Sequence, residues 1–144
     1  MSQSPAVIIG NAVQDPELTY TTGGVAKLSF SVACNYGYTD ASGEKQEKVS
    51  YFNVVCWRYL AEDTANVVEK GIGVIVSGRL EQRSWEDKDG NKRSTVEMVA
   101  ESVGVQTRSI ESLTRKVRQQ GEGGAKPTAA KRTKPVAAPE EDPF

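Results

Sequence analysis

Three aromatic side chains are the clearest candidates for chemistry in this sequence, and their setting favours stacking over catalysis. Tyr51 and Trp57 share one face of a segment with strand alternation. They are separated by roughly 20 Å at about 3.3 Å per residue. Trp85 stands just before a highly charged turn. The pattern predicts a surface on which flat groups stack, and cross-strand packing or a subunit contact is the alternative interpretation.

Basic side chains accompany these rings. Those that we expect to contact the phosphates of a bound strand are Arg79, Arg83, Lys88, Lys92, Arg93, Lys45 and Lys48. Tyr36 and Tyr38 precede the last two in a second cluster of rings and charge. Stacking needs no particular base sequence, because every base has a π-face. Rings and cations together favour binding of unpaired bases. In the alternative interpretation, Trp85 caps the end of the folded domain and the charges around it are only solvated.

The residues for ordinary catalysis are missing. Histidine is absent, which removes the commonest general base, the nucleophile pairs that depend on it and most mononuclear zinc sites. Cys34 and Cys56 form no Cys-x-x-Cys motif, and the sequence from Asp87 lacks the glycine and the final acid of a calcium loop. We therefore expect no enzyme activity, no metal and no cofactor.

Five segments with strand patterning must position these residues: 7–13, 25–34, 49–57, 74–85 and 94–100. A helix is predicted between the third and fourth, where Leu60, Thr64 and Val68 keep helical spacing and Gly71 offers a stop. This element order is that of the OB-fold, a five-stranded Greek-key barrel. The sequence therefore predicts an all-β OB-fold barrel, and a β-sandwich is the alternative.

Alternation also predicts which side chains fill the core. In the second predicted strand these are Leu28, Phe30, Val32 and Cys34, and in the third they are Phe52, Val54 and Cys56. Residues 35–48 are expected to form a long loop that turns near Ser42. Cys34 should then lie opposite Val49 and far from Cys56, so no intrachain disulfide is expected.

The net charge of −1 conceals three zones. Residues 1–108 hold 11 Lys/Arg against 14 Asp/Glu, residues 109–139 hold seven against two, and residues 140–144 carry three acids. Ile110, Leu113 and Val117 have the spacing of a short amphipathic helix. From Gly121 onward, Pro, Gly and Ala dominate, which is typical of disorder. We expect a folded domain over 1–108, a basic and largely disordered linker over 109–139, and an acidic interaction tip over 140–144.

No apolar stretch is long enough for a membrane span, and the start lacks the pattern of a secretory signal. The expected location is the cytoplasm, with no membrane partner.

The chain resembles the bacterial single-stranded DNA-binding proteins over residues 5–107 and the last five residues. The resemblance is carried by residues 10–17 (Gly-Asn-Ala-Val-Gln-Asp-Pro-Glu), 51–57 (Tyr-Phe-Asn-Val-Val-Cys-Trp) and 73–80, followed by Arg83-Ser-Trp85. The ending Glu140-Glu141-Asp142-Pro143-Phe144 is similar to the acidic, Pro-Phe-terminated tip by which this family recruits replication and repair proteins.

The resemblance implies sequence-independent binding and protection of single-stranded DNA in replication, recombination and repair, by a homotetramer associated with the nucleoid. It implies stacking at Tyr51, Trp57 and Trp85, with Tyr36 or Tyr38 in place of a further family tryptophan. The basic linker is expected to attract either DNA or the acidic tip. An OB-fold module that binds RNA, or an assembly protein whose aromatics are subunit contacts, is the alternative.

Overall fold

The structure is a computed structural model that describes residues 2–117. Its elements in chain order are β1 Pro5–Ala12, β2 Glu17–Tyr20, β3 Ala26–Thr39, β4 Lys45–Trp57, α1 Arg58–Ala65, β5 Gly73–Glu86 and β6 Lys92–Val105, followed by a 3₁₀ turn at Thr107–Ser109. The five long strands overlap the five predicted segments, and several of them extend beyond these segments. Within residues 2–117, no helix is long and apolar enough to cross a bilayer.

The strands form one closed sheet in the order β1-β5-β6-β4-β3-β2. Asn11 and Ala12 at the end of β1 pair with β3, which closes the barrel. All pairings are antiparallel except β4 with β6. This arrangement confirms the OB-fold, with the helix following the fourth strand because the structure has one strand more than predicted. The additional strand, β2, is wholly exposed and only four residues long, too short for its alternation at Leu18 and Tyr20 to indicate a strand.

Inward-facing aliphatic side chains fill the barrel. The fully buried ones are Leu28, Val32, Val54, Cys56, Val74, Val76 and Met98. Complete burial of a large aliphatic side chain contributes about 1.5–3 kcal/mol. Burial also raises the pKa of the Cys56 thiol to about 11, although a hydrogen bond with Thr64 of α1 acts in the opposite direction. Cys34 pairs with Ser50, one residue from the predicted Val49, and both cysteines are free.

The predicted loop 35–48 is mostly strand. β3 and β4 continue as a long hairpin that turns at Asp40–Glu44, and β5 and β6 turn in the same way at Asp87–Asn91. In each turn a glycine adopts positive φ, 85° at Gly43 and 78° at Gly90. The loop prediction was wrong because polar residues on both faces hide a strand that extends beyond the core.

One aspartate organises each of these turns. Asp40 Oδ1 accepts hydrogen bonds from the backbone N–H groups of Ser42 and Glu44, both at 3.0 Å. Asp87 Oδ1 accepts from Asp89 and Asn91 at 3.0 and 2.9 Å. These bonds favour the charged carboxylate. The pKa of Asp40 is lowered to about 2, first by the Ser42 hydroxyl and then by the Gln46 amide, and that of Asp87 is lowered chiefly by the Asn91 N–H.

Two predicted helical segments differ from the structure. Helix α1 ends at Ala65, and Gly71, with φ 90°, belongs to the following turn. Residues 110–117 are not helical, and Leu113 and Val117 are exposed. A short helix needs tertiary packing of its apolar face, and no element described between residues 2 and 117 covers these two side chains. The compact unit ends at Leu113. Residues 118–139 of the expected linker and the tip at 140–144 lie outside the described residues.

Candidate nucleic-acid interface

The outward-facing side chains of β3, β4, β6 and β5 form one continuous surface, here called the barrel face. The pairing register defines it, because directly paired residues of antiparallel strands point to the same side. Lys27 pairs with Trp57 and Ala33 with Tyr51 between β3 and β4. Trp85 pairs with Arg93 between β5 and β6. Since Val55 pairs with Val99 across β4 and β6, both pairs of strands contribute to the same surface.

Trp57 lines a groove of about 120 Å³ in the middle of the barrel face, here called the central groove. Its lining residues are Lys27, Val55, Trp57, Glu81, Gln82, Arg83, Glu97 and Val99. Trp57 is 38% exposed, so one part of its ring packs on the barrel and another faces solvent. The Lys27 ammonium lies 5.4 Å from the ring centroid, which is cation–π distance.

Arg83 connects the central groove to Trp85. It lines the groove, and its guanidinium carbon lies 5.3 Å from the centroid of the Trp85 ring. Trp85 is 42% exposed and borders a second groove of about 550 Å³ at the end of the β5–β6 hairpin, together with Lys92 and Arg93. The barrel face therefore offers two indole rings, each with a cation beside it, along one path.

Tyr51 adds a third ring to the barrel face, six residues before Trp57 on β4 and toward the β3–β4 hairpin. It is 66% exposed, and the smaller Asn53 lies between it and the groove, where Asn53 Oδ1 accepts a 3.0 Å hydrogen bond from the Ser31 hydroxyl. Phe52 was predicted to fill the core, but it is 41% exposed. It lies on the core side of β4, yet β3 and β4 continue past the closed part of the barrel. Val55 is buried on the barrel face because the groove residues surround it.

Three of the seven candidate phosphate ligands are engaged with carboxylates. Arg79 lies 3.5 Å from Glu81 and 3.9 Å from Glu101, Arg83 lies 3.4 Å from Glu97, and Arg93 lies 3.0 Å from Asp87. Lys88, Lys92, Lys45 and Lys48 form no ion pair with residues 2–117. Among the seven, the lysines are thus the cations that no carboxylate of residues 2–117 neutralises.

The tyrosine cluster is not part of the barrel face. Tyr36 pairs with Lys48 and Tyr38 with Gln46, a register that turns both rings to the side of β3 opposite Tyr51 and Trp57. Their ring centroids are 6.3 Å apart. Lys45, which pairs with Thr39, keeps the orientation of the barrel face. The structure therefore brings Tyr51, Trp57 and Trp85 together and sets Tyr36 and Tyr38 apart from them.

Sequence reasoning missed Lys27, whose ammonium lies over the ring of Trp57. The pairing of Lys27 with Trp57 could have been predicted from the sequence. The two residues are equally far along the chain from Ser42, where the hairpin was predicted to turn. The carboxylates of Glu81 and Glu97 in the central groove were missed as well. A sequence gives no indication of them until β5 and β6 are placed in register.

A path of partly exposed rings and cations across an OB-fold barrel is typical of proteins that bind unpaired nucleic acid. The chain matches the model of the single-strand binding protein family over residues 4–106. It belongs to this family. The family match covers the whole barrel and therefore every residue of the barrel face.

Curated relatives agree with this membership. The chain is 38% identical over 138 residues to the single-stranded DNA-binding protein of Deinococcus radiodurans, covering 95% of this chain and 43% of the relative. It is 41% identical over 97 residues to single-stranded DNA-binding protein 2 of Listeria monocytogenes, covering 67% and 59%. The matches therefore span only about half the length of these relatives.

A solved structure agrees on the fold. The chain is similar to a chain of the "Plasmodium falciparum SSB complex with ssDNA", with a TM-score of 0.67, 21% identity, and coverage of 74% of this chain and 97% of the other. At this identity the likeness supports the single-strand binding protein fold.

Proposed function

We propose that this protein binds single-stranded DNA without regard to sequence and protects it during replication, recombination and repair. The observation that carries the proposal is the continuous path on the barrel face from Trp57 through the central groove and Arg83 to Trp85. Its relatives are single-stranded DNA-binding proteins in name. Nothing in the mechanism requires a reaction at a pocket, a metal or a cofactor.

Stacking supplies the main attraction in this mechanism. Each base stacked on an aromatic ring contributes about 1–3 kcal/mol, independent of base identity. Trp57, Trp85 and Tyr51 are each partly exposed, so a base can cover them without unfolding the barrel. Paired bases are already stacked on one another and hydrogen-bonded inside the duplex. The rings therefore select single strands over duplex.

Cations follow the backbone beside the rings. Lys27 next to Trp57 and Arg83 next to Trp85 are close enough that a base on the ring brings its phosphates near the cation. Neutralising Z phosphates of a single strand lowers log K by about 0.7Z per decade of salt. Lys45, which keeps the orientation of the barrel face, and Lys88 in the β5–β6 turn extend the track along the two hairpins, in keeping with strand binding over several nucleotides.

Titration of intrinsic tryptophan fluorescence tests this function. The only tryptophans in the chain are Trp57 and Trp85, so stacked bases act on both reporters. We expect oligo-dT to quench the fluorescence, with affinity that rises with oligomer length and falls with salt. Matched oligo-rU in competition tests the RNA alternative. Absence of quenching by dT oligomers of any length would refute the proposal, and tighter binding of rU would redirect it to RNA.

The acidic tip, residues 140–144, is proposed to recruit replication and repair proteins. Its composition supports this role, since three acids and a Phe combine electrostatic attraction with an apolar anchor. The basic linker attracts the tip when DNA is absent, and bound DNA releases it. Deletion of residues 140–144 should abolish capture of replication proteins while DNA affinity stays equal or rises. Weaker DNA binding by the deletion variant would contradict this account.

We also propose that the protein acts as a homotetramer in the cytoplasm, on the nucleoid. Val7 and Ile9 of β1 and Ile75 of β5 form an exposed apolar patch, in which Ile9 pairs directly with Ile75. Within residues 2–117, the edge of β1 opposite β5 pairs with β3 only at Asn11 and Ala12. An exposed apolar face beside an open strand edge favours self-association. Analytical sedimentation tests this assembly. The wild type should sediment as a tetramer, and Ile9→Glu should sediment as smaller species.

A further inference from the structure

A third groove adjoins the central groove where β4 passes into α1. This helix groove, of about 470 Å³, is lined by Gly24, Val25, Ala26, Arg58, Tyr59 and Glu62. Lys27 and Trp57 line the central groove, and the neighbouring residues Ala26 and Arg58 line the helix groove. A strand whose base covers Trp57 and that continues toward α1 therefore meets the helix groove next.

The helix groove presents a free ring. Tyr59 is 83% exposed, more than any ring of the central path. Its ring makes no aromatic or cation–π contact with residues 2–117. A tyrosine has a large apolar surface that is usually covered by packing. At Tyr59 the face of the ring is open to a ligand, directly after Trp57 in the chain.

Arg58 provides the charge of this groove. It has φ 58°, the one non-glycine residue among 2–117 with positive φ. Glycine adopts this left-handed conformation freely, whereas a residue with a Cβ is strained there. Arginine thus destabilises the connection from β4 to α1 relative to glycine. Its side chain forms no ion pair within residues 2–117, so the described fold gains no compensating contact from the charge.

We propose that the helix groove is an additional nucleotide subsite for single-stranded DNA, in which Tyr59 stacks on the base next to the one on Trp57 and Arg58 contacts the phosphate between them. This inference rests on the proposed function. Glu62 lies one helical turn after Arg58 on α1 and also lines the groove, so its carboxylate weakens the attraction of the phosphate. The subsite lengthens the path on each barrel by one nucleotide beyond Trp57.

Variants of Tyr59 test the stacking. With oligo-dT in fluorescence titrations, Tyr59→Ala should weaken binding about fivefold or more, the lower end of what stacking of one base contributes. Tyr59→Phe keeps the ring and should bind like the wild type. Tyr20→Ala is the matched control, because Tyr20 is 60% exposed and lines neither groove; its affinity should not change.

The variant Arg58→Gly tests the phosphate contact and distinguishes it from the effect of Arg58 on folding stability. Relief of the positive φ should raise the thermal midpoint, while loss of one cation should reduce the slope of log K against log salt by about 0.7. A merely structural role for Arg58 would give the higher midpoint with an unchanged slope.

The outcomes distinguish the two proposals. If the wild type fails to bind oligo-dT, the proposed function itself fails. If the wild type binds but Tyr59→Ala and Arg58→Gly bind with unchanged affinity and slope, only the helix-groove subsite is overturned. Weaker binding by Tyr20→Ala to the same extent as by Tyr59→Ala would also overturn it, since the effect would then not be specific to the groove.

Discussion

Lys27→Met is predicted to change the salt dependence of DNA binding in a way that a simple loss of charge does not. In the free protein the Lys27 ammonium covers the ring of Trp57 at 5.4 Å. A cation–π contact at a partly exposed site contributes about 0.5–1 kcal/mol, whereas a stacked base contributes about 1–3 kcal/mol. The base therefore displaces the ammonium, which is then free to bind a phosphate.

Methionine removes both effects of the lysine. Without the ammonium, the ring is uncovered before DNA arrives, which favours binding by the same 0.5–1 kcal/mol, or about 0.4–0.7 units of log K. Without the phosphate contact, the slope of log K against log salt becomes shallower by about 0.7. If the electrostatic contribution vanishes at about 1 M salt, the two salt lines cross at about 0.1–0.3 M.

The assay is fluorescence titration with oligo-dT from low to high salt, on the wild type and Lys27→Met. The variant should bind more weakly below the crossing and more tightly above it. Lys70→Met is the control, because Lys70 is exposed and lines neither the central nor the helix groove. Parallel lines for Lys27→Met and the wild type would refute the phosphate contact, and a variant that is weaker at every salt concentration would refute displacement of the ammonium from the ring.

Three further predictions follow from the barrel face. Trp57→Ala and Trp85→Ala should each weaken poly-dT binding by about 1–3 kcal/mol, and unchanged affinity of both would remove these rings from the interface. Glu97→Gln should tighten binding about 1.5- to 5-fold by releasing Arg83 from an ion pair of 3.4 Å, with the exposed Glu69→Gln as a control that leaves affinity unchanged. The pKa of Asp87 is lowered from its ordinary 3.8, so its stabilisation of the β5–β6 turn should be complete above about pH 4 and should be lost as the pH falls through the lowered pKa. The NMR shifts of the Asp89 and Asn91 amides should change in that pH range. Asp87→Asn should abolish this transition.

The barrel was predictable because its strands have one buried and one exposed face. Alternation at Leu28, Phe30 and Val32 gives a strand and its orientation at once, and the turn near Ser42 gives the pairing of Cys34 to within one residue. The strand extensions from 35 to 48 were not predictable in this way. Apart from Tyr36 and Tyr38, polar residues occupy both faces there, so the alternation is too weak to indicate a strand.

The members of the barrel face could be named in part from the sequence. Tyr51 and Trp57 belong to one strand, where a period of two suffices to place both on one side. Trp85 joins them only because β6 pairs in parallel with β4 and antiparallel with β5, a tertiary relation that no local pattern contains. The same relation places Glu97 within reach of Arg83. Arg58 was missed because its left-handed conformation is set by the junction of β4 with α1.

A barrel with 14 acids and 11 basic residues over residues 1–108 can bind a polyanion if its charges are arranged locally. Exposed charges beyond about 8–10 Å are largely screened at physiological salt, so the sum over the whole domain matters little at the groove. There, Glu97 holds Arg83 close to both the central groove and Trp85. In this pair the Arg83 side chain is exposed and the Glu97 side chain is largely covered. A guanidinium has five donors, so Arg83 can contact a phosphate with the donors that Glu97 does not use. The acids thus orient the arginines at the cost of some attraction, and the rings have to provide most of the affinity.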